Sequence, residues 1–419
     1  MKILYISQYF PPEMGAPAAR ASELARHWAE SGHEVSVLTG FPNHPTGVVP
    51  PEWRPRLRRL IYREKSVGAN IYRTWLWPLP NRKSHERMRN YASFCISAAL
   101  RGLTISRPDV IIGSSPQLLV ALAGWWLGFT RRIPFVFEVR DLWPESLIAV
   151  GATDARSVLH RSLAAISKFL YRHAHRVVVV SPAFRQHLIE RCRVPAEKID
   201  IVENGVEPDL FAPAPANVIA AVRRKFSLES KFVVSYIGTI GNAHGLETVL
   251  DAAAQLKKKN PEVIFLIVGE GAEKERIKAL AFSRGLTNVQ FLDQQAREDV
   301  PAFISASDAC LVLLKKSDVF KTVIPTKMLE FMSCARPVIL GVEGHAADIL
   351  HKADAGLNIP PEDSNALAEA IRQLSADRQL GEKLGRNGRE CILQKFSRQE
   401  TAQKYVGVLN DVLARSRSV

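Results

Sequence analysis

The sequence predicts an α/β protein built from two doubly wound, parallel-sheet domains. Three observations carry that expectation. Short Val/Ile-rich runs alternate with amphipathic helical segments, one Pro/Ala-rich stretch interrupts the alternation, and 419 residues are too many for one comfortable core.

The run KILYIS reads as a strand, and the loop QYFPPEMGAP leads from it into AARASELARHWAESG, a helix ended by Gly32. HEVSVLTG completes a βαβ unit. PDVIIGSS, IPFVFEV and RVVVVS follow, their unbroken Val and Ile content suiting strands buried on both faces. EPDLFAPAPANVIAAV then reads as a linker. Beyond it the pattern restarts with KFVVSYIG, the helix LETVLDAAAQLKKK, EVIFLIVG, a helix from Glu273, VQFLD, ACLVLL and RPVILGV. The expected division is a first domain over 1–205, a linker over 206–230, a second domain over 231–395 and a closing helix over 396–419. That helix either finishes the second domain or crosses back to the first. Ligands of such sheets sit beyond the carboxyl ends of the strands, so chemistry belongs in the strand-to-helix loops.

A hydrophobic content of 47% excludes a disordered or collagen-like chain. The five cysteines (Cys95, Cys192, Cys310, Cys334, Cys391) show no Cys-x-x-Cys pair and suit a reducing cytosol. MKILYISQYF lacks the apolar centre of a signal peptide. The net charge of +14 is uneven: Trp53 to Arg107 holds thirteen Arg or Lys against Glu64 and Glu86, a local +11. Such a patch points to an anionic partner, nucleic acid or a lipid leaflet. No nucleic-acid reading motif accompanies it, and Trp53, Arg54, Arg58, Arg59, Trp75, Trp77, Arg82 and Lys83 have the aromatic and basic character of a headgroup layer. LLVALAGWWLGF is too short to span a bilayer, which takes about 20 residues. A core helix and surface insertion both fit it.

In IPTKMLEFMSCARPVIL, Pro325 is expected to open a helix as its first residue. Thr326 and Lys327 then lie in the first turn, where the helix dipole disfavours a lysine unless an anion is present. Glu330 follows on the same face and can accept from vicinal hydroxyls. Together these describe a nucleoside diphosphate; an i,i+3 ion pair fits the motif alone as well. The loop IGTIGNAHG offers Gly238, Gly241 and Gly245 for close backbone approach, with Asn242 and His244 beside them, and VGEGAEKE offers Gly269 and Gly271. Plain tight turns explain the same spacing, and neither G-x-G-x-x-G nor G-x-x-x-x-G-K-[ST] occurs. Glu138, Arg140 and Asp141 follow IPFVF, where a carboxylate can orient a hydroxyl and a cation can offset phosphate charge. A structural Arg–Asp pair is the equal alternative. His173 and His175 have no partner cluster for zinc, and no Asp-x-Asp occurs, so no metal and no cofactor are expected.

FPPEMGAPAARASELARHWAESGHEVSVLT, VENGVEPDLF, IGTIGNAHGLETVLDAA, LIVGEGAEKERIK and IPTKMLEFMSCARPVIL resemble, in order, glycosyltransferase family 4 enzymes of the GT-B fold. FPNHPTG and EVRDLWPES bring the likeness nearest to bacterial O-antigen, capsule and colanic-acid transferases of the fucosamine-transferase type. The resemblance implies two Rossmann-like domains with the active site in the cleft between them, a nucleotide-sugar donor, UDP-linked, in the second domain, and an acceptor in the first. It implies an N-acetylated deoxyhexosamine passed with retention to a lipid-linked glycan, on the inner face of the cytoplasmic membrane. It places Glu330 on the ribose, Gly15 and Ala16 near donor phosphates and acceptor, and Arg140 where relatives carry an active-site histidine. In retaining members the departing phosphate takes the acceptor proton. Thr322 stands where the family's first motif glutamate would be. A UDP-sugar 2-epimerase-like enzyme and a non-catalytic basic membrane-surface protein are the rival expectations.

Overall fold

The computed structural model describes residues 1–13, 15–44, 46–80, 84–149, 154 and 156–417. The chain divides into two compact units, Met1–Asn204 with Arg398–Val419, and Gly205–Ser397.

The first unit is organised on one sheet. Its strands are β1 (Lys2–Ile6), β2 (Glu34–Gly40), β3 (Ile61–Ser66), β4 (Ala69–Thr74), β5 (Val110–Ser114), β6 (Phe135–Val139), β7 (Arg176–Val179) and β8 (Ile199–Ile201). They pair in the order β3-β4-β2-β1-β5-β6-β7-β8, all parallel except the β3–β4 hairpin. The five strands read from their Val/Ile runs are present, whereas β3, β4 and β8 went unread. The hairpin alternates polar and apolar residues, and it turns through Val67 and Gly68, both at left-handed φ (48° and 75°). Such a turn ordinarily advertises itself as Asn-Gly, so Val67 conceals it.

The helix Ala16–Glu30 sets Leu24, Ala25 and Trp28 into the core with Tyr5, Val37 and Ile112. The closing helix, Arg398–Arg417, belongs to this unit. Trp28 Nε1 donates to the Ala402 carbonyl at 3.2 Å, the Tyr405 ring meets Trp28 edge-on at 5.3 Å, and buried Arg398 donates to Glu23 at 2.8 Å.

The second unit carries β9 (Phe232–Ile237), β10 (Val263–Val268), β11 (Val289–Leu292), β12 (Ala309–Leu313), β13 (Val338–Gly341) and β14 (Gly356–Asn358), ordered β11-β10-β9-β12-β13-β14 and parallel throughout. Part of the stretch read as a linker is a helix of this unit, Ala216–Lys225. Its composition explains both facts. Alanine is the best helix former, Pro215 stands just ahead of the first turn, and Arg223, Arg224 and Lys225 complement the dipole at the far end. Arg223 pins the helix to the sheet through Asp308 at 2.7 Å.

All five cysteines are free thiols. Among the described residues no helix is long and apolar enough to cross a membrane, and no group of three His, Cys, Asp or Glu could hold a metal ion.

Candidate functional site

In the second unit the residues of interest gather beyond the carboxyl end of β9. The helix Thr326–Ser333 has Pro325 as its N-cap rather than as its first residue, since Pro325 is extended (φ −64°, ψ 121°). No side chain caps the helix and its first turn holds no acid, so its opening N–H groups and dipole lack a side-chain counterpart. Lys327 lies back over the β9 end: a Cβ placed on Gly238 would be 2.9 Å from its Nζ. Nζ donates to the Tyr236 hydroxyl at 2.9 Å and sits 4.1 Å from the centre of that ring, and Tyr236 in turn donates to the Thr239 carbonyl. One neutral oxygen and a ring face are a poor exchange for water. Desolvation therefore lowers Lys327 from its ordinary 10.5 to about 7, with Glu330 pulling the other way.

Glu330, one turn on, accepts from Arg297 at 3.3 Å, and Arg297 stacks over Phe211 at 5.0 Å. Thus Lys327 and Glu330 each have a tertiary partner. His244 Nδ1 lies 3.2 Å from the Leu313 carbonyl. Because a carbonyl only accepts, Nδ1 carries the proton, leaving Nε2 of the neutral ring as an acceptor. Burial, helped by Lys327, lowers this histidine to about 3.

The glycines divide by role. A side chain on Gly269 would run into the Gly238 carbonyl and one on Gly271 into that of Ile240, because these loops pair edge to edge (Gly238 N to Val268 O, 3.0 Å; Ile240 N to Glu270 O, 2.8 Å). Gly271 thus serves loop packing in this structure. Gly241 is different: a Cβ there meets nothing closer than 3.8 Å, so its open side has room for a ligand. Asn242 accepts from Lys315 Nζ at 2.6 Å.

In the first unit the sequence reading needs correction. Glu138 is fully buried and cannot present itself to a ligand. Its Oε1 accepts from Arg20 Nε at 3.1 Å and Nη2 at 2.9 Å, and its Oε2 from the Tyr5 hydroxyl at 2.7 Å and from Ser114. Burial alone would raise this carboxyl; Arg20 and Arg140, with the two hydroxyls, outweigh it and hold it below the usual range. Arg20 also reaches the carbonyls of Val202 and Glu203 and Asn204 Oδ1, so it ties the first helix to the segment that leaves β8. Sequence reasoning missed it, although a signal existed: Arg20 shares a helical stripe with Leu24 and Trp28, where a charge needs a buried partner.

Asp141 accepts from the Ser146 hydroxyl at the start of the Glu145–Ala149 helix, and burial raises its carboxyl. Its observed work is local. Arg140 is the better candidate. Its Nη2 donates to the Ala16 carbonyl at 3.2 Å, its backbone N–H to Ser115 at 2.7 Å, and its Nε has no partner. Burial lowers it to about 10. It therefore sits by the Ala16–Glu30 helix start, where Gly15 (φ 133°) has only Pro17 within 4 Å of a Cβ and no side chain caps the helix. Glu13, also unread in the sequence, accepts from the N–H groups of Phe10, Asn43 and His44, and burial raises it to about 7.

The aromatic and basic stretch is mixed in placement. Trp53 is 7% exposed and packs with Phe41, Val49 and Tyr62, under Arg56 and Arg73, so it cannot face a membrane. Arg54, Arg58 and Arg59 are exposed, Trp75 half-buried and Trp77 48% exposed. Arg82 and Lys83 lie outside the described residues.

Comparison with known proteins agrees with this architecture. Residues 15–205 match the family described as glycosyl transferase 4-like domain, and residues 219–391 match glycosyl transferases group 1. WcaI of Escherichia coli K12, named for colanic acid biosynthesis, is 27% identical over 89% of this chain and 92% of its own. WbjE of Pseudomonas aeruginosa, named a glycosyltransferase, is 26% identical over 74% and 76%. Among solved structures, sucrose-phosphate synthase of Thermosynechococcus elongatus superposes with a TM-score of 0.77 at 23% identity, covering 99% of both chains. Anabaena HepE, solved with UDP and glucose, gives 0.74 at 21%, covering 98% and 99%. The chain is a GT-B glycosyltransferase made of a glycosyl transferase 4-like domain followed by a glycosyl transferases group 1 domain.

Proposed function

We propose that this enzyme is a hexosyltransferase that moves a sugar from a UDP-linked donor, with retention, to a lipid-linked glycan during bacterial surface polysaccharide assembly at the inner membrane face. The observation that carries the reading is Lys327: a half-buried lysine held over Gly238 by Tyr236, at an uncapped helix start. A diphosphate restores the charge that burial takes from it. Transfer breaks the bond between the sugar's anomeric carbon and the diphosphate oxygen, so the leaving group gains charge, and preorganised N–H groups and an ammonium are what that charge requires. In this reading Thr326 and Lys327 hold the diphosphate, Glu330 takes the ribose hydroxyls, and Gly241, Asn242 and His244 line the sugar end; in the first unit Arg140, beside Gly15 and Ala16, is the cation proposed for a role of its own. The name of WcaI supports the polysaccharide class, and an N-acetylated deoxyhexosamine of the fucosamine type is the sugar proposed.

Thermal unfolding with a panel of nucleotide sugars tests the donor, because a ligand that binds only the folded chain raises its midpoint. UDP-sugars are expected to raise it and GDP-sugars to leave it unmoved; the reverse pattern contradicts the assignment. Glu330→Ala is expected to weaken UDP by about tenfold in calorimetry, the worth of roughly one charged hydrogen bond, and equal affinities would remove Glu330 from the site.

A further inference from the structure

The first unit carries an apolar outer surface that the transferase chemistry does not explain. On the helix Ser84–Gly102, Phe94 and Ala98 are buried, while Ile96 (63% exposed) and Leu100 (61%) point outward, continued past the helix by Leu103. The neighbouring helix, Leu118–Arg131, turns Leu118, Ala121, Gly124 and Gly128 inward and leaves Leu122, Trp125 and Trp126 only half-buried and Phe129 71% exposed. LLVALAGWWLGF is therefore core around most of its circumference and too short to span: Trp125 meets Phe169 of the Val158–His173 helix edge-on at 4.6 Å, and the strip carrying Leu122, Trp126 and Phe129 is the part turned toward solvent. The two helices pack closely, since a Cβ on Gly102 would collide with Leu127, and Arg131 Nη1 bonds the Gly102 carbonyl at 2.8 Å.

The charge around this face has one sign. Between Glu86 and Glu138 the sequence holds six arginines and a single acid, Asp109, which accepts from the Lys2 N–H. Arg101 and Arg63 share the ring of Tyr72, at 5.4 and 5.0 Å. Burial and the nearness of Arg63 lower Arg101, and burial and Arg107 lower Arg131. Like charges are thus crowded beside exposed apolar side chains, an arrangement that water does not favour and an anionic interface does.

We propose that the outer face of these two helices docks on an anionic bilayer leaflet, with Ile96, Leu100, Leu103, Trp126 and Phe129 at the acyl boundary and the arginines on lipid phosphates. This replaces the stretch around Trp53 as the lipid contact. A second copy of the chain is a poor occupant, since a self-paired face would oppose two cationic rims. The inference rests on the proposed work at a membrane, yet its test needs neither donor nor acceptor.

The test is flotation of the full chain with phosphatidylcholine vesicles, with and without phosphatidylglycerol, at low and high salt. Wild type is expected to float with the anionic vesicles, less with the neutral ones, and less as salt rises. Leu100→Glu and Phe129→Glu, at exposed positions, are each expected to weaken partitioning by roughly tenfold while leaving thermal unfolding and UDP calorimetry unchanged. Those two controls separate a failed docking surface from a failed donor site. Wild type that does not float, or variants that float as well as wild type, overturn the proposal. So does a wild-type dimer that Leu100→Glu dissociates without any vesicle binding.

Discussion

Arg20→Met is expected to cost the first unit about 3–5 kcal/mol, the range for breaking a buried ion pair by removing one partner. Both side chains are withdrawn from water, at 1% and 0% exposure, and the loss leaves Glu138 charged with two hydroxyls and the charge of Arg140 to offset it. The carbonyls of Val202 and Glu203 lose the Arg20 hydrogen bonds as well, so the segment that leaves β8 should loosen. Urea unfolding, read on the transition of the first unit, measures the effect. The double variant Arg20→Met with Glu138→Met should regain much of the loss, because an apolar pair asks for no charge solvation. A loss below about 1 kcal/mol in the single variant would place the pair among surface ion pairs. The acid limb has a defined sign: Glu138 is held below its ordinary value in the fold, so its contribution is present at neutral pH and is lost as pH falls below the carboxylate range.

The second large effect concerns Lys327. Donor affinity is expected to be level below pH about 7 and to fall about tenfold per unit above it, because the diphosphate needs the ammonium and the free site gives it up near 7. A sugar-linked diphosphate has no terminal phosphate to confuse the titration. Lys327→Met should bind weakly with no slope in this range. Calorimetry in buffers of different ionisation enthalpy should show proton uptake by wild type alone, and a flat wild-type profile between about pH 7 and 9 would contradict the desolvated lysine. In the free chain the linkage runs the other way. The unfolded chain binds the extra proton between about 7 and 10.5, so the cost of this lysine to stability is full below 7 and fades as pH rises through that window.

How much was legible follows from where the signals reside. Buried parallel strands need little context, and KFVVSYIG and EVIFLIVG were read because burial on both faces leaves an unbroken apolar string. The Lys327 and Glu330 motif was readable because both residues lie within one helix. Their partners were not: Tyr236 is 91 residues away and Arg297 is 33, and no local pattern encodes such pairings. Glu138 failed for the same reason. A carboxylate at a strand end looks available until Arg20, 118 residues earlier, is found against it. Trp53 looked like a headgroup residue because its neighbours are arginines, yet Arg56 and Arg73 cover its ring rather than reach for lipid. Conversely, the sequence left the Leu118–Arg131 helix between a core helix and surface insertion, because apolar residues occur on its buried and its outer side alike.

The central claim is that the Thr326–Ser333 helix start and Lys327 hold a diphosphate, and comparing UDP with uridine by calorimetry tests it most directly. Wild type should prefer UDP by about a hundredfold or more, as a charged lysine and helix N–H groups on a diphosphate warrant, and Lys327→Met should lose most of that preference while binding uridine as wild type does. A variant that keeps the full preference for UDP would contradict the account.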